Sequence, residues 1–169
     1  MDNNIEIEKK YIILKPRADE LSAMADYSVS EIEQIYLSSP QGITHRIRSR
    51  KFTDRTVFTE TTKARIDKMS AYENEREITE SEFNSLSERR DENTRAIKKH
   101  RHTFVFSGQL FEIDVYPEWK NTAILETELA DRNTTVEFPS FLKIVSDVTG
   151  DKRYSNASMS RSFPEETAI

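Results

Sequence analysis

The chain has 169 residues, of which 33% are charged and 36% hydrophobic, and its net charge is −5. It has no cysteine, which excludes disulfides, thiolate catalysis and Cys-ligated zinc or iron–sulfur centres. The acidic balance argues against general nucleic-acid binding, so any anion site must come from local clustering of basic side chains.

Strand-like runs, alternating or rich in β-branched and aromatic residues, fall at 4–14, 31–38, 43–51, 55–63, 70–79, 95–106, 110–117 and 122–130. Residues 17–28 read as a short helix. Turn signals at Ser39-Pro40-Gln41-Gly42, Thr53-Asp54-Arg55 and Ser107-Gly108-Gln109 separate close pairs, as antiparallel hairpins require. Thr79-Glu80-Ser81-Glu82 is a capping box, and Phe83 and Leu86 supply one apolar stripe, so a helix follows that ends before Arg95. Phe138 to Val148 reads as helical after Pro139. The tail from Gly150 is polar, and its last residues are expected to be mobile. Eight strands with few helices predict a mainly β fold, an eight-stranded closed antiparallel β-barrel with helices over its ends or outer wall. The length suits a single domain over 1–169.

Residues two apart on a strand share a face. Glu6, Glu8 and Lys10 do so opposite Ile5 and Ile7. The pattern returns in Arg46 and Arg48, in Glu73, Glu75 and Glu77, in Lys99 and Arg101, in Glu112 and Asp114, and in Glu126 and Glu128. The ordinary reading is the solvated face of a half-buried sheet. Recurrence in almost every strand supports another, a barrel with a charged lumen. Same-face neighbours lie about 7 Å apart. Pairs such as Glu126/Glu128 therefore suit a divalent cation, and Arg46/Arg48 and Lys99/Arg101 suit successive phosphates. Periodicity alone does not choose between the two arrangements.

The three histidines, His45, His100 and His102, have no strong metal-motif spacing. A metal site would be oxygen-ligated, which suits magnesium, manganese or calcium. No apolar stretch is long enough to span a membrane, and the polar N-terminus is unlike a signal peptide. Cytoplasmic residence is the default expectation, with neither nucleic acid nor membrane as a partner; monomer and homodimer both stay open.

Glu6-Ile7-Glu8-Lys9-Lys10 fits the pattern E-x-E-x-K. It is followed in order by Arg46-Ile47-Arg48, Thr61-Thr62-Lys63, Glu75-Arg76-Glu77, Lys99-His100-Arg101, Phe111-Glu112-Ile113-Asp114-Val115-Tyr116 and Leu125-Glu126-Thr127-Glu128-Leu129. Asp151-Lys152-Arg153-Tyr154-Ser155-Asn156 closes the series. Over nearly the whole chain this series resembles the CYTH superfamily, the triphosphate tunnel metalloenzymes, and among them the short bacterial inorganic triphosphatases. The resemblance implies divalent-metal-dependent hydrolysis of tripolyphosphate to pyrophosphate and phosphate inside a β-barrel tunnel. Mg2+ or Mn2+ would be the cofactor, and a triphosphate-containing small molecule the partner.

By position, the resemblance implies phosphate binding by Lys10, Arg46, Arg48, Lys63, Lys99, Arg101 and Lys152. It draws metal ligands from Glu6, Glu8, Asp114, Glu126 and Glu128. Glu75 and Glu77 would line the lumen, and Tyr36 with Lys63 would form a catalytic pair. Arg50 and Lys98 are expected at the solvent or the mouth, and Tyr154 and Asn156 as anchors of the C-terminal segment. An adenylyl cyclase, a thiamine or nucleoside triphosphatase, and a non-catalytic polyphosphate or nucleotide sensor are the alternatives.

Overall fold

The computed structural model describes residues 4–169. Its strands are β1 (Ile5–Leu14), β2 (Ala25–Leu37), β3 (Ile43–Lys51), β4 (Thr56–Arg65), β5 (Ser70–Ile78), β6 (Ile97–Phe106), β7 (Gln109–Val115), β8 (Thr122–Glu128) and β9 (Ile144–Asp147). Short helices α1 (Ala18–Ser22), α2 (Glu80–Ser87) and α3 (Asn156–Arg161) accompany them. The sheet runs β5-β4-β3-β2-β6-β7-β8-β1, all antiparallel, and β1 pairs again with β5. The ring is therefore closed, and the expected eight-stranded antiparallel barrel is the fold.

Closure is narrow. Only Ile5↔Tyr72, Glu6↔Ala71 and Ile7↔Ser70 join β1 to β5. Farther along, the same edge of β1 finds other partners. The Glu8 N–H donates to the Met69 carbonyl (3.0 Å), and the Lys10 N–H donates to Thr149 Oγ1 (3.0 Å). Then β9 pairs with Tyr11 and Ile12 across a bulge. One edge of β1 is thus covered in sequence by a strand, a turn and a ninth strand, so little of that edge is left unpaired among the described residues.

Side-chain alternation then sorts the barrel. One set of apolar alternates points outward: Tyr11, Ile13, Phe104, Phe111, Ile113 and Leu125 form a cluster with Leu21 of α1 and Leu142. On another part of the wall, Ile35, Ile47 and Ile78 pack with Phe83 of α2. The Thr79 cap sets α2 as expected: Thr79 Oγ1 accepts from the Glu82 N–H, and the Glu82 carboxylate accepts from the Thr79 N–H. The opposite faces point inward. There Ile12, Ile97, Ile124 and Tyr116 meet Tyr154 and Met159 and fill one end.

Two expectations are corrected. The 17–28 helix stops at Ser22, and β2 begins at Ala25, with Asp26 at φ 55 beside a bulge between Ala25 and Ser28. The 138–148 segment is not helical. Phe138, Phe141 and Leu142 lie against the outer wall, and Ile144–Asp147 becomes β9. A short apolar run suits either structure, and the open edge of β1 supplies backbone partners that a helix would not use. The polar tail from Gly150 is held to the body as far as Glu166. Phe163 packs on Tyr116 and Trp119, Trp119 Nε1 donates to the Pro164 carbonyl (3.0 Å), and the Glu166 carboxylate accepts the N–H groups of Lys120 and Thr122 (3.0 and 2.7 Å). No described helix is long and apolar enough to cross a membrane.

Gly150 sits at the seam between β1 and the β4–β5 turn, with φ +76. A Cβ there would stand 2.8 Å from Lys68 Cβ and 3.1 Å from its Cα. Gly150→Ala is therefore expected to cost about 1–3 kcal/mol, combining backbone strain with a clash against main chain. Urea unfolding measures it; a loss below about 0.5 kcal/mol would show that the seam is slack.

Candidate functional site

The inner faces change character along the barrel axis. On β1 the sequence of inward residues is Ile12, Lys10, Glu8, Glu6. On β6 it is Ile97, Lys99, Arg101; on β8, Ile124, Glu126, Glu128; and from Tyr116, just past the end of β7, back along that strand, Asp114 and Glu112. Each strand is apolar at the filled end and charged toward the other. Between the apolar plug and the mouth lies a cavity of about 390 Å³. Its lining includes eight basic side chains: Lys10, Arg46, Arg48, Arg50, Lys63, Arg65, Lys99 and Arg101. Seven carboxylates share it: Glu6, Glu8, Glu73, Glu75, Glu112, Glu126 and Glu128. Tyr36, Asn156 and Ala157 complete the inner part.

Most of the anticipated residues therefore meet in one lumen. Asp114, Glu77 and Lys152 do not line it. Asp114 points inward but is fully buried beneath the basic side chains, with Lys99 Nζ at 2.7 Å and Arg101 bidentate at 2.7 and 2.8 Å. Both of its oxygens are occupied by cations, so it positions basic groups and does not itself line the cavity. Glu77 is exposed and stands beyond the three residues that close β5 on β1; Glu73 lines the cavity in its stead. Lys152 is exposed on the 3-10 turn Lys152–Tyr154, outside the plug. Arg50, expected at the solvent or mouth, lines the cavity and donates from Nε to Ser30 Oγ (2.8 Å). The signal was its spacing, two residues beyond Arg48 on one strand face.

The basic side is pre-assembled around partly unfilled donors. Arg46 Nε and Arg48 Nε are buried without a hydrogen-bond partner among the described residues. Such donors are costly unless something accepts from them. Burial and the neighbouring Arg46 and Arg101 bring the Arg48 guanidinium down to about 10. Burial likewise brings the Lys99 ammonium down to about 8, despite Asp114. Tyr36 faces Arg46 across the β2–β3 pair, and its hydroxyl accepts from Gln34 Nε2 (3.3 Å). Lys63 bonds Glu6 (3.3 Å) and lies 3.7 Å from Glu73, so both oxygens near it are acidic and Tyr36 is not its partner.

The acidic side carries strain of the opposite sign. Burial, then the charge of Glu126, raises the Glu8 carboxyl to about 8. Burial and a hydrogen bond with Glu73 raise Glu6, and burial with Glu6 and Glu112 raises Glu128. Burial opposes ionisation of Glu126 too, but Lys10 at 3.2 Å and Arg101 hold it below the usual carboxylate range. Among the described residues no three carboxylates or imidazoles close on one point. The donors are all oxygens, crowded enough that one of them favours a proton at neutral pH. That donor chemistry fits a hard divalent cation.

The raised Glu8 carboxyl has a pH consequence. Its proton is bound more tightly in the folded state, so its contribution to stability is complete below the ordinary carboxylate value and fades as pH rises through about 8. In metal-free buffer, Glu8→Gln is expected to be more stable than wild type at pH 9 by roughly 2–4 kcal/mol, at about 1.4 kcal/mol per unit, and little different at pH 5. Urea midpoints at the two pH values test this. Equal midpoint differences at both would show that Glu8 titrates normally.

No family model and no curated protein matches the sequence. Solved structures do match. The inorganic triphosphatase NE1496 is 26% identical, with a TM-score of 0.60 over 94% of this chain and 96% of that one. PH1012 from Pyrococcus horikoshii OT3 matches at 19% identity and TM-score 0.55, over 75% of this chain and 80% of that one. HpAC1 from Hippeastrum, an adenylyl cyclase candidate with a dominant triphosphatase activity, matches at 16% and 0.51, over 75% and 80%. The last two share the fold; NE1496 also spans nearly the full length with a quarter of its residues identical. In fold and in the order of its motifs, the chain resembles the triphosphate tunnel metalloenzymes of the CYTH superfamily, and among them the short inorganic triphosphatases.

Proposed function

We propose that the protein hydrolyses inorganic triphosphate to pyrophosphate and orthophosphate with a divalent cation, Mg2+ or Mn2+. The observation that carries this reading is the row of guanidinium and ammonium groups, Arg46, Arg48, Lys99 and Arg101 among them, that lines one cavity together with carboxylates. Arginine forks match phosphate oxygens, and a chain of phosphates would use several along the wall. The likeness to the inorganic triphosphatase NE1496 supports the same choice.

Lys10, Arg46, Arg48, Lys63, Lys99 and Arg101 are assigned to the phosphates, joined by Arg50. Glu6, Glu8, Glu126 and Glu128 are assigned to the cation. When bound, that cation supplies positive charge against the phosphate oxygens and makes water a better nucleophile. The chain's own share is mostly positional. Phosphoryl transfer needs alignment and charge stabilisation and little covalent work. Asp114 fixes the Lys99 ammonium and the Arg101 guanidinium, so neither has to reorganise when the anion arrives. Tyr36, beside Arg46 on the wall, is assigned to orient the reacting oxygen, with Lys63 reaching the same lumen from β4.

Phosphate release is expected from tripolyphosphate in Mg2+ or Mn2+, faster than from ATP or thiamine triphosphate, and abolished by chelation. Arg48→Ala should raise KM for tripolyphosphate by roughly 10- to 100-fold, the scale of a charge-assisted contact worth about 1–3 kcal/mol. Absence of release from tripolyphosphate with either metal between pH 7 and 9 would overturn the assignment; cyclic AMP formation from ATP would replace it.

A further inference from the structure

The inner end of the cavity is closed. Ile12, Ile97, Ile124 and Tyr116 pack there against Met159 and Tyr154, and α3 lies across them with Asn156 and Ala157 toward the cavity. Asn156 supplies the side-chain amide of that floor. Its Oδ1 accepts from the Tyr116 hydroxyl (2.9 Å) and from Lys99 Nζ (3.4 Å). An ammonium only donates, so the oxygen must face Lys99 and the amide NH2 must face the other way. That NH2 has no partner among the described residues, and Asn156 lines the lumen.

We propose that the lumen is a socket read from one end, with Asn156 donating to the unsubstituted terminal phosphate seated on the floor. This deepens the triphosphatase reading and rests on it for the identity of the anion. A neutral donor is suited to that place. A terminal phosphate carries the highest charge density in the chain, and Lys99, held by Asp114 and Asn156, already supplies the cation beside it. Any ester group on the substrate must then trail toward the mouth, past Glu128. A side cavity of about 200 Å³, between the β2–β3 turn and α3, touches the socket at Tyr36, Thr44 and Ala157. It is the rival route, by which a substituted end would pass the floor.

The test reads binding and not turnover. Tripolyphosphate, ADP and P1,P3-diadenosine triphosphate are titrated calorimetrically into the full chain with Mg2+. ADP and the diadenosine compound carry equal formal charge, but only ADP has a free terminal phosphate. The diadenosine compound is expected to bind more than tenfold more weakly than ADP; binding within tenfold would overturn the socket in favour of the side route. Asn156→Asp keeps the acceptor for Lys99 and Tyr116 and removes the donor. It should weaken tripolyphosphate more than tenfold, while Asn156→Ser, a smaller neutral group, should weaken it less than Asn156→Asp does. Wild-type affinity in Asn156→Asp would overturn the role of Asn156, and the ligand comparison stands if that variant does not fold. Binding without hydrolysis would sink the triphosphatase reading alone; no binding of tripolyphosphate would sink both.

Discussion

Asp114 is enclosed on all sides, and its two oxygens hold Lys99 and Arg101. An isolated charge in that place would be expelled or neutralised. Paired and fully hydrogen-bonded, it becomes the fixed point around which a charged interior is tolerated. The same rule extends through the lumen. Lys10 is held by Glu126, Lys63 by Glu6 and Glu73, Arg48 by Glu75, and Arg101 by Glu112 in addition to Asp114. With Asp114 buried beneath them, eight acidic groups stand against eight basic ones. The ligand-free interior is close to neutral by its own composition, which is why a barrel can keep so many charges inside.

That arrangement needs the apolar residues elsewhere, and the fold supplies three places for them. Two are on the outer wall, where α1 and the 136–142 segment cover one side and α2 covers another. The third is the plug, where the last inward residue of several strands turns apolar and α3 seals them. The C-terminal segment is therefore part of the site. It ends the cavity, contributes Asn156, and is strapped down by Phe163 and Glu166.

The barrel and the identity of its charged faces were legible from period-two alternation together with the order of the motifs. Glu6, Glu8 and Lys10 could be placed on one face by spacing alone, and only the family resemblance turned that face inward. What spacing could not convey was depth. Asp114 and Glu112 alternate identically in the sequence, yet Asp114 lies behind Lys99 and Arg101 while Glu112 reaches the cavity. Glu77 continues the series of Glu73 and Glu75 but runs past the three residue pairs that close the ring. Pairing register decides both, and register is a tertiary property. The 138–148 segment misled for a related reason, since its apolar run carries no periodicity strong enough to distinguish a helix from a strand laid on β1.

The central claim is that acidic and basic walls compensate each other until a cation and a polyanion replace them together. A polyanion alone would oppose the carboxylates, and a cation alone would oppose the guanidinium groups. The direct measurement is a thermal-shift cycle at pH 8 with four arms: no addition, Mg2+ alone, tripolyphosphate alone, and both, the last with a non-hydrolysable analogue as a control against turnover. The account predicts that the shift with both exceeds the sum of the two single shifts. Additive shifts, or a full shift from tripolyphosphate without metal, would contradict it.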